Sequence, residues 1–237
     1  MPLRKQSKDF QPLWKEWDQS AQKEGQRNTV YFVNGDQYTG EWQNNKKSGK
    51  GTYTWKKKGA IYDGDWANDK RNGYGTYSLP LPNGGYKKVY SGGWKDDKRQ
   101  GYGTNFYKGN EYFEGEWHEG KRSGWGRMYY GDGSVYEGEW LNGMRHGNGM
   151  LRLANENRYE GSWIEDKKHG DGKFYFLDTG QLYIGTWVDD IPKCGTCEEF
   201  GKDTATNPSP YTLPECTLER PKEVLEEARA AALEGHG

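Results

Sequence analysis

Residues 136–149 decide the fold: Tyr136-Glu137-Gly138-Glu139-Trp140-Leu141-Asn142-Gly143-Met144-Arg145-His146-Gly147-Asn148-Gly149. Tyr136, Gly138 and Trp140 alternate with Glu137 and Glu139, so an extended segment here has one aromatic face and one carboxylate face. Gly147 stands seven residues after Trp140, and Gly149 leads on in the same parity to Leu151 and Leu153. Two such segments read as a half-buried antiparallel pair, apolar on one side and wet on the other.

The unit recurs along the chain. Tyr38-Gly40-Trp42, Tyr62-Gly64-Trp66, Tyr90-Gly92-Trp94, Phe113-Gly115-Trp117, Tyr159-Gly161-Trp163 and Tyr183-Gly185-Trp187 repeat the first half, with Trp-to-Trp spacings of 24, 28, 23, 23, 23 and 24 residues. Gly49/Gly51, Gly73/Gly75, Gly101/Gly103, Gly124/Gly126 and Gly170/Gly172 repeat the second half. The positions that follow, from Tyr53/Trp55 to Phe174/Phe176, are apolar or aromatic except Asn105. The glycines leave room for a ring to lie across the neighbouring strand. A lone hairpin is marginal in water, so stability has to come from stacking one unit on the next. The seventh unit has Cys194 and Thr196 where the glycines are expected, which predicts a short or distorted final strand. The 28-residue spacing places extra residues at Leu79–Gly85, where Pro80 and Pro82 predict a protruding loop.

The aromatic-x-Gly-x-Trp and Gly-x-Gly unit resembles the MORN (membrane occupation and recognition nexus) repeat, over residues 36 to about 197. The fold class expected is all-β: an extended single-layer antiparallel sheet, a solenoid of seven stacked MORN β-hairpins with short flanking helices. Residues 1–35 are expected to form an N-terminal helix (12–24) and a capping strand (29–33), and 36–200 the repeats. Residues 201–237 are expected to form a Pro-containing linker and a C-terminal helix starting at Pro221.

The 237 residues include 11 Trp, 18 Tyr and 35 Gly, and the formal net charge is −1. Near-neutrality gives no general drive toward nucleic acid. The first residues have no apolar run of the signal-peptide kind, and three cysteines do not make a disulfide framework, so an intracellular, cytoplasmic protein is expected. Cys194 and Cys197, with Cys216, fall short of a four-ligand zinc set. No phosphate loop, His-Glu-x-x-His or nucleophile elbow is present. The expectation is a non-enzymatic chain with no catalytic residue, cofactor or metal.

Two surfaces are candidates for binding. The first is a groove lined by Tyr62, Trp66, Tyr90, Trp94, Phe113, Trp117, Tyr136, Trp140, Tyr159 and Trp163, suited to an extended peptide or helix of another protein. The second is an edge carrying Lys46, Lys47, Lys70, Arg71, Lys98, Arg99, Lys121, Arg122, Arg145, Lys167 and Lys168, which would face an anionic membrane or a phosphoinositide headgroup. Acidic neighbours such as Asp69, Asp97 and Asp166 cancel much of that field. A second copy of the chain is a further partner class. The resemblance implies a scaffold of membrane-associated, ciliary or flagellar assemblies, and in male germ cells an association with the acrosome or flagellum.

Overall fold

The computed structural model describes residues 21–213 and 220–234. The helix expected over residues 12–24 lies almost wholly outside them, as does Cys216. Fifteen strands and one α-helix are present among the described residues. The fold is all-β and antiparallel, as the alternation of faces requires.

The described residues form two compact units, 21–87 with 95–97, and 88–94 with 98–213 and 220–234. The first contains β1 (Gly25–Tyr31), β2 (Gln37–Gln43), β3 (Lys46–Trp55), β4 (Ala60–Ala67) and β5 (Lys70–Pro80), hydrogen-bonded in chain order. β6 (Tyr86–Lys95) contributes its residues 88–94 to the second unit. There it is followed in order by β7 (Lys98–Phe106), β8 (Tyr112–His118), β9 (Lys121–Tyr129), β10 (Val135–Leu141) and β11 (Met144–Arg152). β12 (Arg158–Ile164), β13 (Lys167–Phe176), β14 (Gln181–Val188) and β15 (Ile191–Glu199) complete it, with helix α1 (Pro221–Glu234).

Register puts glycine against glycine. Gly138 faces Gly149, Gly40 faces Gly51 and Gly161 faces Gly172. Past each pair the ladder slips by two residues, so that Trp140 faces Arg145 and Trp42 faces Lys47. The hairpin then closes on two residues with positive φ: Asn44 and Asn45, Asn68 and Asp69, or Asp189 and Asp190. Two left-handed residues make a turn whose twist matches the flanking strands, and Asn and Asp tolerate that conformation. The basic pairs are therefore the first residues of the returning strands, not the turns themselves.

Four expectations need correction. The capping strand is Gly25–Tyr31, four residues earlier than its composition suggested, and it pairs with β2. The insertion does not protrude from Leu79: β5 continues through Pro80, whose Cγ lies 2.9 Å from where a Cβ on Gly59 would stand. A tight turn at 81–85 follows, with Leu81 N–H donating to Gly85 O at 3.0 Å. The last repeat is not short, since β15 pairs with β14 from Ile191 to Glu199. Its bulge has lost one residue, so Gly195 faces Gly185 one position early and still receives the Tyr183 ring, 2.7 Å from a would-be Cβ. Finally, the linker folds back onto the turn before β14, where Asn207 N–H donates to Asp178 O and Ser209 N–H to Thr179 O.

Candidate interaction surface

The ten rings expected to line an open groove are the core. Tyr62, Tyr90, Phe113 and Tyr136 have no exposed surface, and none of the ten exceeds 7%. Three devices close this face over a single sheet.

The first is the glycine pair. A Cβ on Gly149 would stand 2.3 Å from Tyr136 Oη, so each ring lies flat on backbone where any side chain would lift it. The hydroxyl reaches across the bulge to a carbonyl freed by the register slip. Tyr136 Oη donates to Glu139 O at 3.0 Å, Tyr38 to Glu41 O at 3.0 Å and Tyr159 to Ser162 O at 3.0 Å. Phe113 has no hydroxyl to make this bond. Burial pushes the phenols of Tyr38, Tyr62, Tyr136 and Tyr159 well above their ordinary range.

The second device is the indole. Trp140 stands edge-on to Tyr136 of its own repeat at 5.2 Å and to Phe113 of the preceding one at 5.2 Å. Trp163 does the same with Tyr159 and Tyr136, and Trp187 with Tyr183 and Tyr159. The indole N–H donates to the second glycine of the preceding repeat, Trp140 to Gly126 O at 3.2 Å and Trp66 to Gly51 O at 2.9 Å.

The third is a cation five residues after the Trp of each of the first six repeats, folded over a ring of this face and in four of them over the next repeat's indole. Arg122 lies 4.0 Å from the Trp140 ring, Arg145 4.3 Å from Trp163, Arg99 4.7 Å from Trp117 and Lys47 5.2 Å from Trp66. A desolvated contact of this kind contributes up to about 2 kcal/mol. Where the next turn carries an aspartate, that residue also holds the cation, whereas Arg122 donates to Gly143 O. Arg145 Nε meets Asp166 at 3.1 Å, Arg71 Nε meets Asp97 at 2.9 Å and Lys47 Nζ meets Asp69 at 3.3 Å. Those carboxylates also accept the backbone N–H of the cation's own residue, as Asp190 does from Lys168 at 2.9 Å. Burial pulls the Lys168 ammonium below its usual range, against the attraction of Asp190.

Half of the expected basic edge is thus a lid on the core. Of its outer members, Lys70 pairs with Asp96 at 3.3 Å, Lys98 with Glu119 at 3.5 Å and Lys167 with Asp189 at 3.4 Å; Lys46 and Lys121 are exposed. The edge is a ladder of alternating charge.

The opposite face is the open one. Tyr74 in the first unit, and Tyr102 and Trp125 in the second, occupy the middle of Gly-x-Gly and are 60%, 59% and 50% exposed. The repeat pattern does not mark them, because the position between the glycines varies from Lys50 to Trp125 to Asp171. Beside them stand carboxylates that serve the bulge: Asp65 accepts Tyr74 N–H at 2.8 Å and Glu139 accepts Asn148 N–H at 3.1 Å. Tyr102 Oη donates to Glu114 at 2.9 Å, Arg127 pairs with Glu137 at 2.7 Å, and Tyr112 and Tyr129 stack at 4.1 Å. At the C-terminal end the same face carries α1, with Arg229 paired to Asp171 and Leu225 lining the cavity beneath the helix.

Comparison with known proteins fits this geometry. A family model of the MORN repeat matches residues 38–59, 62–80, 90–104, 113–135, 136–158 and 159–180, leaving out the hairpin whose bulge has lost a residue. The chain is 66% identical to MORN repeat-containing protein 3 of Bos taurus over 97% of this chain and 96% of that one. It is 65% identical to the Homo sapiens protein of the same name over 97% and 96%, and 58% identical to the Xenopus laevis protein over 97% of each. With a repeat that folds as paired glycines under a shared Tyr–Trp core, and relatives matched over nearly their whole length, the chain belongs to the MORN-repeat family.

Proposed function

We propose that the chain is a non-enzymatic scaffold that binds other proteins through its carboxylate face, in the cytoplasm and, by family resemblance, in sperm or ciliary assemblies. The observation that carries this reading is the division of labour between the faces. The Tyr–Trp face is consumed by packing, whereas Tyr74, Tyr102 and Trp125 stand exposed among carboxylates. Large rings left in water on a folded surface are typical anchors of protein contacts. An anionic membrane is less favoured, because nine of the eleven cations of the turn edge, all but Lys46 and Lys121, lie over rings or face an acidic partner.

A photoreactive phenylalanine analogue placed at position 74, 102 or 121 of the full-length chain tests this. Cross-links to a defined set of proteins are expected from positions 74 and 102 and not from 121. Sedimentation with phosphatidylserine and phosphoinositide vesicles is expected to be absent at physiological salt. Vesicle binding abolished by Lys46→Glu with Lys121→Glu, together with no cross-links from 74 or 102, would replace the scaffold reading with the membrane one.

A further inference from the structure

We propose that the furrow over β7–β12 on the carboxylate face seats an amphipathic helix of a partner protein, one with an aliphatic stripe and basic residues at intervals of seven. This deepens the scaffold reading and rests on it.

The furrow is continuous with a helix seat already filled. A cavity of about 590 Å³ beneath α1 is lined by Glu160, Gly161, Asp171 and Ile184 from the sheet and by Leu225 and Arg229 from the helix. A second, of about 320 Å³, shares Glu160 and Gly161 with it and runs on to Met150, Glu137 and Trp125. A third, of about 170 Å³, shares Trp125 and Glu137 and ends at Tyr102 and Glu114. Facing glycines floor the first two and Gly126 the third, so the backbone forms the bottom and the flanking side chains form walls. α1 covers its stretch and lines it with residues four apart, an aliphatic Leu225 and a basic Arg229 that reaches a carboxylate. Nothing among the described residues fills the rest.

Charge and spacing describe the occupant. Glu114, Glu137 and Glu160 recur at the same register position of consecutive repeats, joined through the pairs Glu114–Arg127, Glu137–Arg127, Glu137–Met150 and Met150–Glu160. With Glu116 and Glu139, five carboxylates share this face with Arg127, Arg152 and Arg158, which pair with Glu137, Glu156 and Glu160, so the surface keeps a net acidic balance. Two strands separate one repeat from the next, which places these glutamates about 9.6 Å apart. Seven residues of α-helix rise about 10.5 Å. A helix lying across the strands, with Arg or Lys at i, i+7 and i+14, therefore meets one glutamate per repeat. An extended peptide, at about 3.3 Å per residue, meets them every third residue, where its side chains alternate between facing the sheet and facing away. Tyr102, Trp125 and Met150 supply apolar surface between the charges for the aliphatic stripe.

The test uses the full-length chain and a synthetic, fluorescently labelled amphipathic helix with a Leu/Ala stripe and Arg at i, i+7 and i+14, read by anisotropy. Binding is expected, weakened roughly tenfold or more by Trp125→Ser and by Glu137→Lys, unchanged by Lys121→Glu, and absent for a peptide with Glu in place of Arg. Trp125 is exposed, so an unchanged melting temperature shows that its loss is not a folding defect. No binding, or binding indifferent to both furrow substitutions, overturns the proposal. So does binding abolished by Asp171→Ala alone, which would put the peptide in the α1 seat. Self-association of the chain that Trp125→Ser abolishes would assign the furrow to a second copy and overturn it too. If the furrow fails while position 74 still cross-links to proteins, the scaffold reading stands without it.

Discussion

Replacing Trp140 with alanine is expected to destabilise the second unit by about 3–5 kcal/mol, the cost of truncating a fully packed indole. Four contacts go at once: the edges of Phe113 and Tyr136, the Arg122 guanidinium at 4.0 Å, and the hydrogen bond to Gly126 O. Three of the four partners, Phe113, Arg122 and Gly126, belong to the preceding repeat, so the loss falls on the joint between neighbours, where a repeat array holds its cooperativity. Trp42 supplies the contrast. No preceding Gly-x-Gly exists to accept its N–H, and its Nε1 is buried without a partner among the described residues. Trp42→Phe removes that orphaned donor and is expected to cost no more than about 1 kcal/mol, whereas Trp140→Phe gives up a bond that is made. Urea unfolding followed by circular dichroism reads both. Equal losses at 42 and 140 would mean that stability is shared through one closed core.

Gly138→Ala is expected to be as damaging, at about 3 kcal/mol or more, through overlap and not through a cavity. Its Cβ would stand 2.5 Å from Gly149 Cα and 2.6 Å from Asn148 O, both backbone atoms of the paired strand. Neither can turn aside as a flexible side chain would. Gly101→Ala is the control. A Cβ there meets nothing within 4 Å, and only its φ of 71° opposes the change, at about 1–2 kcal/mol. Thermal unfolding of the two variants should separate them clearly. A Gly138→Ala protein that melts with the wild type would mean that the strands part easily at the glycine pair, against the account of the ring seat.

Much of the fold was legible because its unit repeats. Alternation in Tyr136–Trp140 gave the two faces, and the recurrence of Gly-x-Gly gave the second strand with its parity intact through Leu151 and Leu153. The last hairpin was misread because a bulge can lose a residue without breaking the ladder. A count from Trp187 then lands on Cys194 instead of Gly195. The Tyr–Trp face reads in the sequence as an open groove for a different reason. A single sheet was expected to leave its aromatic side open, yet Lys47, Arg71, Arg99, Arg122, Arg145 and Lys168 fold back over rings of that face. The signal was in the sequence: a cation at the fifth position after Trp in each of the first six repeats is a packing rule as much as a charged edge. Asn105 shows the reverse limit. It breaks the apolar pattern, and it is buried with its Oδ1 unpartnered among the described residues.

The central claim is that the Tyr–Trp face is closed and the carboxylate face open, and hydroxyl-radical footprinting of the full-length chain read by mass spectrometry tests it most directly. Trp125, Tyr102 and Tyr74 are expected to oxidise rapidly, and Trp117, Trp140 and Trp163 to stay protected until the chain unfolds. Oxidation of Trp140 and Trp163 at the rate of Trp125 in the folded protein would contradict the account and return the Tyr–Trp face to the solvent.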